Sequence, residues 1–385
     1  MASKIGLLAL MVAATISIIV IALVSLDLTR TPQPPGEPPS SATDSGNNTK
    51  PEKATVNLVS TRSAFPFVQR WVTQYNNDDH AEALVKVTYL EEATAGIDDL
   101  RIVDSSAVAN NDTDSYYVPV SAQVIAIVYN VPGFPDIPSG LRLDNDTLYL
   151  ILNGTIARWN DRAIANLNKD LNLPNEKIIV VHERGNNGSL NLIKRSITKD
   201  FTWPIDSIEA SGPDDLGTAV RTTPYSIGYI DFSYAIQTKM TYAATENARG
   251  QYVIPSTDSI GEAAESGLEV RNATNGNLVV SPPVINVSRL GDTSYSLVGL
   301  YYFAFDKNTR NDTIAEQDSA MLDIRRNATL DFVKWVIANE GQRILSEVGY
   351  PDLYHGNVQL QTYAGNIISY SYSVTVSANS TRLTD

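Results

Sequence analysis

The chain has 385 residues, more than one simple domain needs, and an apolar content of 43% that is sufficient for a buried core. It contains no cysteine, which excludes disulfides, thiolate metal sites and a lipid anchor on cysteine, and its three scattered histidines predict no metal site. The net charge of -14, without a cluster of Lys or Arg, argues against nucleic acid as a partner.

The chain opens on an apolar run over residues 5–26, which is long enough for a transmembrane helix. Lys4 precedes this run, and by the positive-inside tendency the rest of the chain then lies outside the cytoplasm. We therefore expect a membrane anchor over residues 1–28, with a cleaved signal peptide as the alternative. Residues 29–53 are rich in proline and predict an extended linker.

From residue 54 onwards, helix and strand patterns alternate, which is typical of an α/β fold. The first predicted elements are strands over residues 56–59 and 84–89, a helix that starts near Pro66, a short helix over residues 95–100 and a buried strand over residues 124–129. The later ones are a strand over residues 178–181, a helix after the glycine-rich turn 185–189, a strand over residues 295–305 and a helix over residues 329–348 that Gly349 ends.

Residues 367–376 alternate hydroxylated with apolar or aromatic side chains, which predicts a strand with two dissimilar faces. One interpretation places it at the edge of the main sheet. The other makes it a strand that pairs with a neighbouring molecule and allows self-assembly.

Asn-x-Ser/Thr sequons are frequent, and as a set they favour a secreted or cell-surface glycoprotein. They lie at Asn47, Asn111, Asn145, Asn153, Asn187, Asn272, Asn286, Asn311, Asn327 and Asn379.

Three predicted helix starts could bind an anion, because the first N–H groups of a helix have no acceptor within the helix and lie at its positive dipole end. The candidate ligand-binding residues at these starts are Ser63, Ala64 and Phe65; Ala93 and Thr94; and Arg184, Asn186, Asn187, Gly188 and Ser189. No nucleophile elbow, phosphate-transferring loop or metal motif is present in the sequence, so an enzyme is not predicted.

Two motifs and their order resemble the phosphate-binding subunit of ABC phosphate importers. The first is Asn-Gly-Thr-Ile-Ala-Arg-Trp-Asn-Asp at residues 153–161, and the second is Thr-Pro-Tyr-Ser-Ile-Gly-Tyr-Ile-Asp-Phe-Ser-Tyr-Ala at residues 223–235. The resemblance covers about residues 59–353. It implies a two-lobed periplasmic-binding-protein-like fold of type II with a hinge, a small oxyanion as ligand with phosphate favoured, an ABC permease as partner and no cofactor.

The resemblance also implies how the chain is divided. Lobe 1 would comprise residues 54–127 and 296–356, lobe 2 residues 128–295, and residues 357–385 would form a strand-like extension. With the anchor, this describes a solute-binding protein at the cell surface.

The ligand-binding positions depart from the family pattern. The family loop Arg-x-Asp-Gly-Ser-Gly-Thr corresponds to residues 183–189, where Glu183 replaces the arginine and Arg184 is one place away. A threonine of the family is Ala64 here, and Ala109 stands where an aspartate accepts the proton of the ligand. An alternative hypothesis is therefore a cell-surface structural or assembly glycoprotein that reuses the fold without transporting a solute.

Overall fold

The computed structural model describes residues 53–90, 98–108, 114–133, 140–185, 187–270, 281–307 and 316–380. Outside these ranges lie the predicted anchor, residues 29–52 of the predicted linker, the candidate site residues Ala93, Thr94 and Asn186, and the sequons at Asn47, Asn111, Asn272 and Asn311. Among the residues that are described, no helix is both long enough and apolar enough to cross a membrane.

Strands and helices alternate along the described chain, in agreement with the predicted α/β class. The strands are β1 (Ala54–Thr61), β2 (Ala83–Leu90), β3 (Leu100–Asp104), β4 (Ser115–Asn130), β5 (Arg142–Leu143), β6 (Ile179–Glu183), β7 (Ile208–Ala210), β8 (Ser226–Asp231), β9 (Ala244–Glu246), β10 (Tyr252–Val253), β11 (Leu268–Glu269), β12 (Val284–Ile285) and β13 (Val298–Asp306).

The helices are α1 (Phe65–Asn76), α2 (Ser105–Val108), α3 (Asn145–Leu152), α4 (Arg162–Leu167), α5 (Gly188–Ile197), α6 (Pro213–Thr222), α7 (Phe232–Gln237), α8 (Thr257–Gly267), α9 (Glu316–Ile337), α10 (Asn339–Glu347) and α11 (Val358–Ser380). Short 3₁₀ turns lie at Arg62–Ala64 and Val287–Arg289.

One mixed sheet of eight strands organises the molecule, in the order β2-β1-β3-β13-β4-β8-β6-β7. Strand β4 belongs to both halves of this sheet, because residues 115–124 pair antiparallel with β13 and residues 125–130 pair antiparallel with β8. Nearly all of β4 is buried, as expected for a strand that is covered on both faces. The change of partner between Val124 and Ile125 is the point at which the two halves join.

Helix α1 packs an aromatic face against the first half of the sheet. Pro66 lies in its first turn, where the missing N–H is not needed, which confirms the predicted start of this helix. Phe67 and Trp71 are fully buried with their ring centroids 4.8 Å apart, and Trp71 Nε1 donates to the carbonyl of Gly341 at 2.7 Å. The packing fixes the turn that precedes α1, and this turn lies beside the cavity described below.

Two predicted element boundaries are wrong. The short helix predicted over residues 95–100 extends to Leu100, but Leu100 begins β3, which pairs with β1 and β13 and buries its apolar residues. The helix predicted over residues 329–348 is two helices, α9 and α10, because the backbone at Ala338 is extended and starts a new helix. Gly349 follows α10 with a positive φ of 90°, a conformation that glycine adopts without strain.

The predicted C-terminal strand is also wrong, since these residues belong to the 23-residue helix α11. Its buried side chains follow the spacing of a helix face, and they are Leu360, Tyr363, Ala364, Ile367, Ile368 and Ser371. Tyr363 Oη donates to the carbonyl of Tyr117 on β4 at 2.9 Å. The helical spacing of the buried residues begins at Leu360, before residue 367. Residues 367–376 by themselves show only the alternation of hydroxylated with apolar or aromatic side chains.

Candidate functional site

A cavity of about 320 Å³ lies where several strands end. Strands β1 and β3 are parallel to each other, as are β6 and β7, and the residues at or just after their carboxyl ends meet here. The two pairs run antiparallel to each other through β13, β4 and β8, so their carboxyl ends point toward each other across the cavity. The carboxyl ends of strands are where ligands bind in open α/β sheets. The cavity is lined by Thr61, Arg62, Ser63, Asp104, Gln123, Glu183, Arg184, Gly185, Asn187, Gly188, Ser189, Ser211, Gly212, Pro213 and Tyr301.

Helix α5 begins at the cavity wall. Asn187 caps it, because the Asn187 Oδ1 accepts the N–H of Leu190 at 2.9 Å. Gly185 turns the chain out of β6 with a φ of 76°, which is the left-handed conformation that glycine tolerates. The first helical residues, Gly188 and Ser189, line the cavity, so the N-terminal end of this helix faces it. The helix predicted to follow the turn 185–189 is confirmed, and it begins at Gly188, within that turn.

Two further helix starts reach the same cavity. Helix α6 starts at Pro213 behind Gly212, and the 3₁₀ turn that precedes α1 contributes Arg62 and Ser63. The Ser211 N–H and Oγ both donate to Asp215 Oδ2, at 2.9 and 3.1 Å. Helix dipoles from α5 and α6 therefore end at one place, next to the hydroxyl-bearing residues Ser63, Ser189 and Ser211.

A buried hydroxyl at the cavity wall lacks a partner. The Oγ1 of Thr61, at the end of β1, is inaccessible to solvent and has no hydrogen-bond partner within the described part of the chain. Buried polar atoms are nearly always paired in folded proteins.

The charged side chains of the cavity balance in sign. Arg62 and Arg184 contribute two guanidinium groups, and Arg184 Nε donates to Glu209 Oε1 at 2.8 Å. Asp104 and Glu183 contribute two carboxylates, of which Glu183 is only 8% exposed and accepts from the Nδ2 of Asn187. An incoming anion is therefore attracted mainly by helix N–H groups and hydroxyls.

Asp104 packs directly against the start of α5. It accepts the N–H of Ser106 at 2.8 Å, and a Cβ added to Gly188 would overlap the Asp104 carboxylate. Only glycine at position 188 leaves room for this contact. The carboxylate consequently lies at the positive end of the α5 dipole, where a negative charge is stabilised.

A buried carboxylate lies behind the cavity. Asp231 at the end of β8 caps α7, is 2% exposed, and accepts from Tyr350 Oη at 2.7 Å and from Tyr301 Oη at 3.3 Å. Burial raises the pKa of Asp231 to about 6, against the opposing effect of hydrogen bonds from Ser233 and Tyr350. Because Tyr301 lies on β13 and also lines the cavity, Asp231 ties the second half of the sheet to the cavity wall.

The two sequence motifs that carry the family resemblance contact each other. Trp159, in the first motif, is fully buried and its Nε1 donates to the carbonyl of Tyr225 in the second motif at 3.0 Å. Tyr225 has a positive φ of 64° and follows Pro224 at the turn into β8. Ile156 and Trp159 of the first motif and residues 226–233 of the second are buried, and both motifs lie outside the cavity lining.

The predicted site residues have different positions. Ser63, Arg184, Asn187, Gly188 and Ser189 lie together around the cavity. Ala64 is fully buried, and Phe65 lines a neighbouring cavity.

Several lining residues were not predicted from the sequence, namely Thr61, Arg62, Asp104, Gln123, Ser211, Gly212, Pro213 and Tyr301. The Gly-Pro pair at 212–213, followed by two aspartates, is a signal for a helix start and could have identified α6.

The sequons within the described ranges differ in environment. Asn327 is exposed, and Asn145 and Asn153 are half-buried. Asn187 and Asn286 use their Nδ2 groups to donate to Glu183 and Glu269. A glycan on either of these two would replace that hydrogen bond.

Residues 45–340 match the family model for the PBP superfamily domain. The chain belongs to this superfamily. It is 28% identical over 335 residues to the phosphate-binding protein PstS of Xylella fastidiosa strain 9a5c, covering 80% of this chain and 85% of that protein. It is also 28% identical over 334 residues to PstS of Methanocaldococcus jannaschii, covering 77% and 82%. The resemblance to phosphate-binding subunits is thereby confirmed.

Solved structures show the same fold. A putative phosphate ABC transporter substrate-binding protein from Clostridium perfringens, with bound phosphate, aligns with a TM-score of 0.51 at 13% identity and covers 77% of this chain and 98% of that one. A high-affinity periplasmic phosphate-binding protein, PfluDING, aligns with a TM-score of 0.52 at 13% identity, covering 79% and 93%. The two-domain α/β fold predicted from the sequence is therefore confirmed.

Proposed function

We propose that the chain is an extracytoplasmic solute-binding protein that binds phosphate in the 320 Å³ cavity and delivers it to an ABC importer. It is a binding protein and not an enzyme. The proposal draws on relatives that are named phosphate-binding proteins and on a related fold that holds phosphate. The observation that carries it is the meeting of the starts of α5 and α6 with the turn before α1 around one cavity.

The carboxylates in the cavity favour one kind of oxyanion. At neutral pH phosphate keeps at least one proton, which it can donate to a carboxylate such as Asp104 or Glu183. Sulfate has no proton to donate, so its oxygens would repel those carboxylates. We therefore expect phosphate to bind more tightly than sulfate. Glu183, which replaces the arginine of the family loop, adds to this preference because it is one of the two carboxylates.

We also propose the lobe boundaries given above, with a hinge between the two halves of the sheet. Strand β4 exchanges β13 for β8 at Val124 and Ile125, which is compatible with a boundary near residue 127. A phosphate ion held between α5 on one side and Ser63 on the other would favour closure, because it would contact both halves.

Isothermal titration calorimetry of the full chain with phosphate and with sulfate tests the function. Ser189→Ala removes the hydroxyl of a residue that lines the cavity and is 6% exposed. A hydrogen bond to a charged group contributes about 1.5–3 kcal/mol, so we expect phosphate affinity to fall about 10- to 100-fold.

Arg62→Ala should also weaken phosphate binding, because it removes a cavity guanidinium. Arg70→Ala is the matched control, since Arg70 is exposed on α1 and pairs with Glu347 at 3.2 Å, away from the cavity. Absence of any heat with millimolar phosphate, or equal affinity in all three variants and the unmodified chain, would contradict the proposal.

The alternative hypothesis, a cell-surface structural or assembly glycoprotein, loses one of its supports, the predicted C-terminal strand. Residues 367–376 lie in helix α11, whose apolar face is packed against β4 and α9 of the same molecule. A helix with its backbone hydrogen bonds satisfied offers no edge for strand addition. We therefore propose no second function.

A further inference from the structure

A second cavity, of about 350 Å³, adjoins the proposed phosphate site. The two cavities share Arg62, Ser63 and Pro213 in their walls. They are therefore neighbouring compartments that meet at the turn before α1 and at the start of α6.

The surface of the second cavity is mainly apolar, and three aromatic side chains contribute to it. Phe65 and Tyr89 form one wall, with ring centroids 5.0 Å apart and an interplanar angle of 59°, and Tyr234 on α7 lies on another. Phe65 is 50% exposed, which is unusual for so large an apolar side chain next to a buried core. The Oη of Tyr89 donates to Gln69, so its ring face remains available for packing.

The carboxylates that border this cavity do not make it an anion site. Asp231 is 2% exposed and already accepts hydrogen bonds from Tyr350 and Ser233. Asp214 is exposed at the rim. An apolar or aromatic group is the chemistry that fits the wall formed by Phe65, Tyr89 and Tyr234.

We propose that the two cavities form one site for a phosphonate or phosphate monoester, with the phosphoryl group in the first cavity and its organic group against Phe65 and Tyr89 in the second. The proposal rests on the proposed function of the first cavity. Each cavity lies near the lower end of the range of about 300–1,000 Å³ that is typical of organic ligand sites. Inorganic phosphate, with five heavy atoms, would leave the aromatic compartment unused.

Calorimetry of the full chain with phosphate, methylphosphonate and phenylphosphonate tests the idea. The two phosphonates share their charged group, so their difference in affinity reports on the organic substituent. We expect phenylphosphonate to bind at least about tenfold more tightly than methylphosphonate, a difference of about 1.4 kcal/mol. If phosphate binds but phenylphosphonate binds no more tightly than methylphosphonate, this inference is overturned and the proposed function stands. If none of the three binds, both fail.

Two variants locate the effect. Gln237→Trp places a large side chain at the rim of the second cavity from an exposed position on α7, and should remove the preference for the phenyl compound. Thr218→Trp, at an exposed position of α6 that lines neither cavity, should keep it. Tyr89→Ala should also reduce the preference, by removing one aromatic wall. A preference that persists in both Gln237→Trp and Tyr89→Ala, with phosphate affinity intact, would refute the assignment.

Discussion

The contact between Gly188 and Asp104 makes a prediction that can be tested on stability alone. In Gly188→Ala, the new methyl group would overlap the Asp104 carboxylate, which must then move away from the N–H of Ser106. Forcing an extra carbon into a filled site costs about 1–3 kcal/mol. Alanine in place of glycine within a helix favours folding by at most about 1 kcal/mol, so the steric cost should dominate. We expect a net loss of about 1–2 kcal/mol.

A double-mutant cycle isolates the contact. In the Asp104→Ala background the obstructing carboxylate is gone, and Gly188→Ala should then be neutral or stabilise the protein by up to about 1 kcal/mol. The coupling energy between the two sites would thus be about 2 kcal/mol, well above the few tenths expected of independent positions. The measurement is the free energy of unfolding by urea for the unmodified chain, both single variants and the double variant.

Gly261→Ala provides the matched control for this cycle. Gly261 lies on α8, and the nearest atom to an added Cβ would be Pro351 Cβ at an ordinary 3.7 Å. This substitution should stabilise both backgrounds equally. If Gly188→Ala changes the free energy of unfolding by the same amount with and without Asp104, the carboxylate does not fill the space in front of Gly188 and the reasoning is refuted.

Two further predictions concern pH and the C-terminal helix. The pKa of Asp231 is about 6 in the folded state against an ordinary 3.8, so between about pH 4 and 6 the folded state retains a proton that the unfolded state has lost. Stability should therefore fall as pH rises through this window, by on the order of 3 kcal/mol relative to Asp231→Asn. A constant difference between the two urea midpoints from pH 4 to 7 would contradict this. Gly365 is exposed on α11 with no atom within 4 Å of an added Cβ, so Gly365→Ala should raise the free energy of unfolding by about 1 kcal/mol and Gly365→Pro should lower it by about 3 kcal/mol or more. Equal effects of the two variants in thermal unfolding would argue against a helix at this position.

The sequence predicted those helices and strands whose apolar residues recur with a clear period and whose ends are marked by proline or glycine. Pro66 identified the start of α1, and the glycine-rich turn after β6 identified the start of α5. The C-terminal helix was missed because its alternating Ser and Tyr residues imitate a strand over a short window. Its buried face becomes visible only when Leu360 and Tyr363 are included, so the length of the window decided the outcome.

The candidate site was predicted less completely than the fold because its residues come from strand ends that are distant in sequence. Asp104 ends β3, and no local signal places it beside the start of α5, whereas Glu183 ends β6 in the same loop that leads into α5. Strands β3 and β6 belong to parallel pairs that run antiparallel to each other in the sheet, and only this topology brings their carboxyl ends face to face at the cavity. Long-range pairing of this kind is not encoded in any single segment.

The residues that identify the family and the residues that would bind its ligand are different sets. Trp159 donates a hydrogen bond to Tyr225, and Asp231 accepts hydrogen bonds from Tyr301 and Tyr350. The two motifs therefore stabilise the fold of the second half. The choice of ligand depends instead on the charges that line the cavity, which come from residues 183–189, Asp104 and Arg62. Neither motif contributes a residue to this lining. Affinities measured on the cavity variants Ser189→Ala and Arg62→Ala therefore test the ligand independently of the motifs that identify the family.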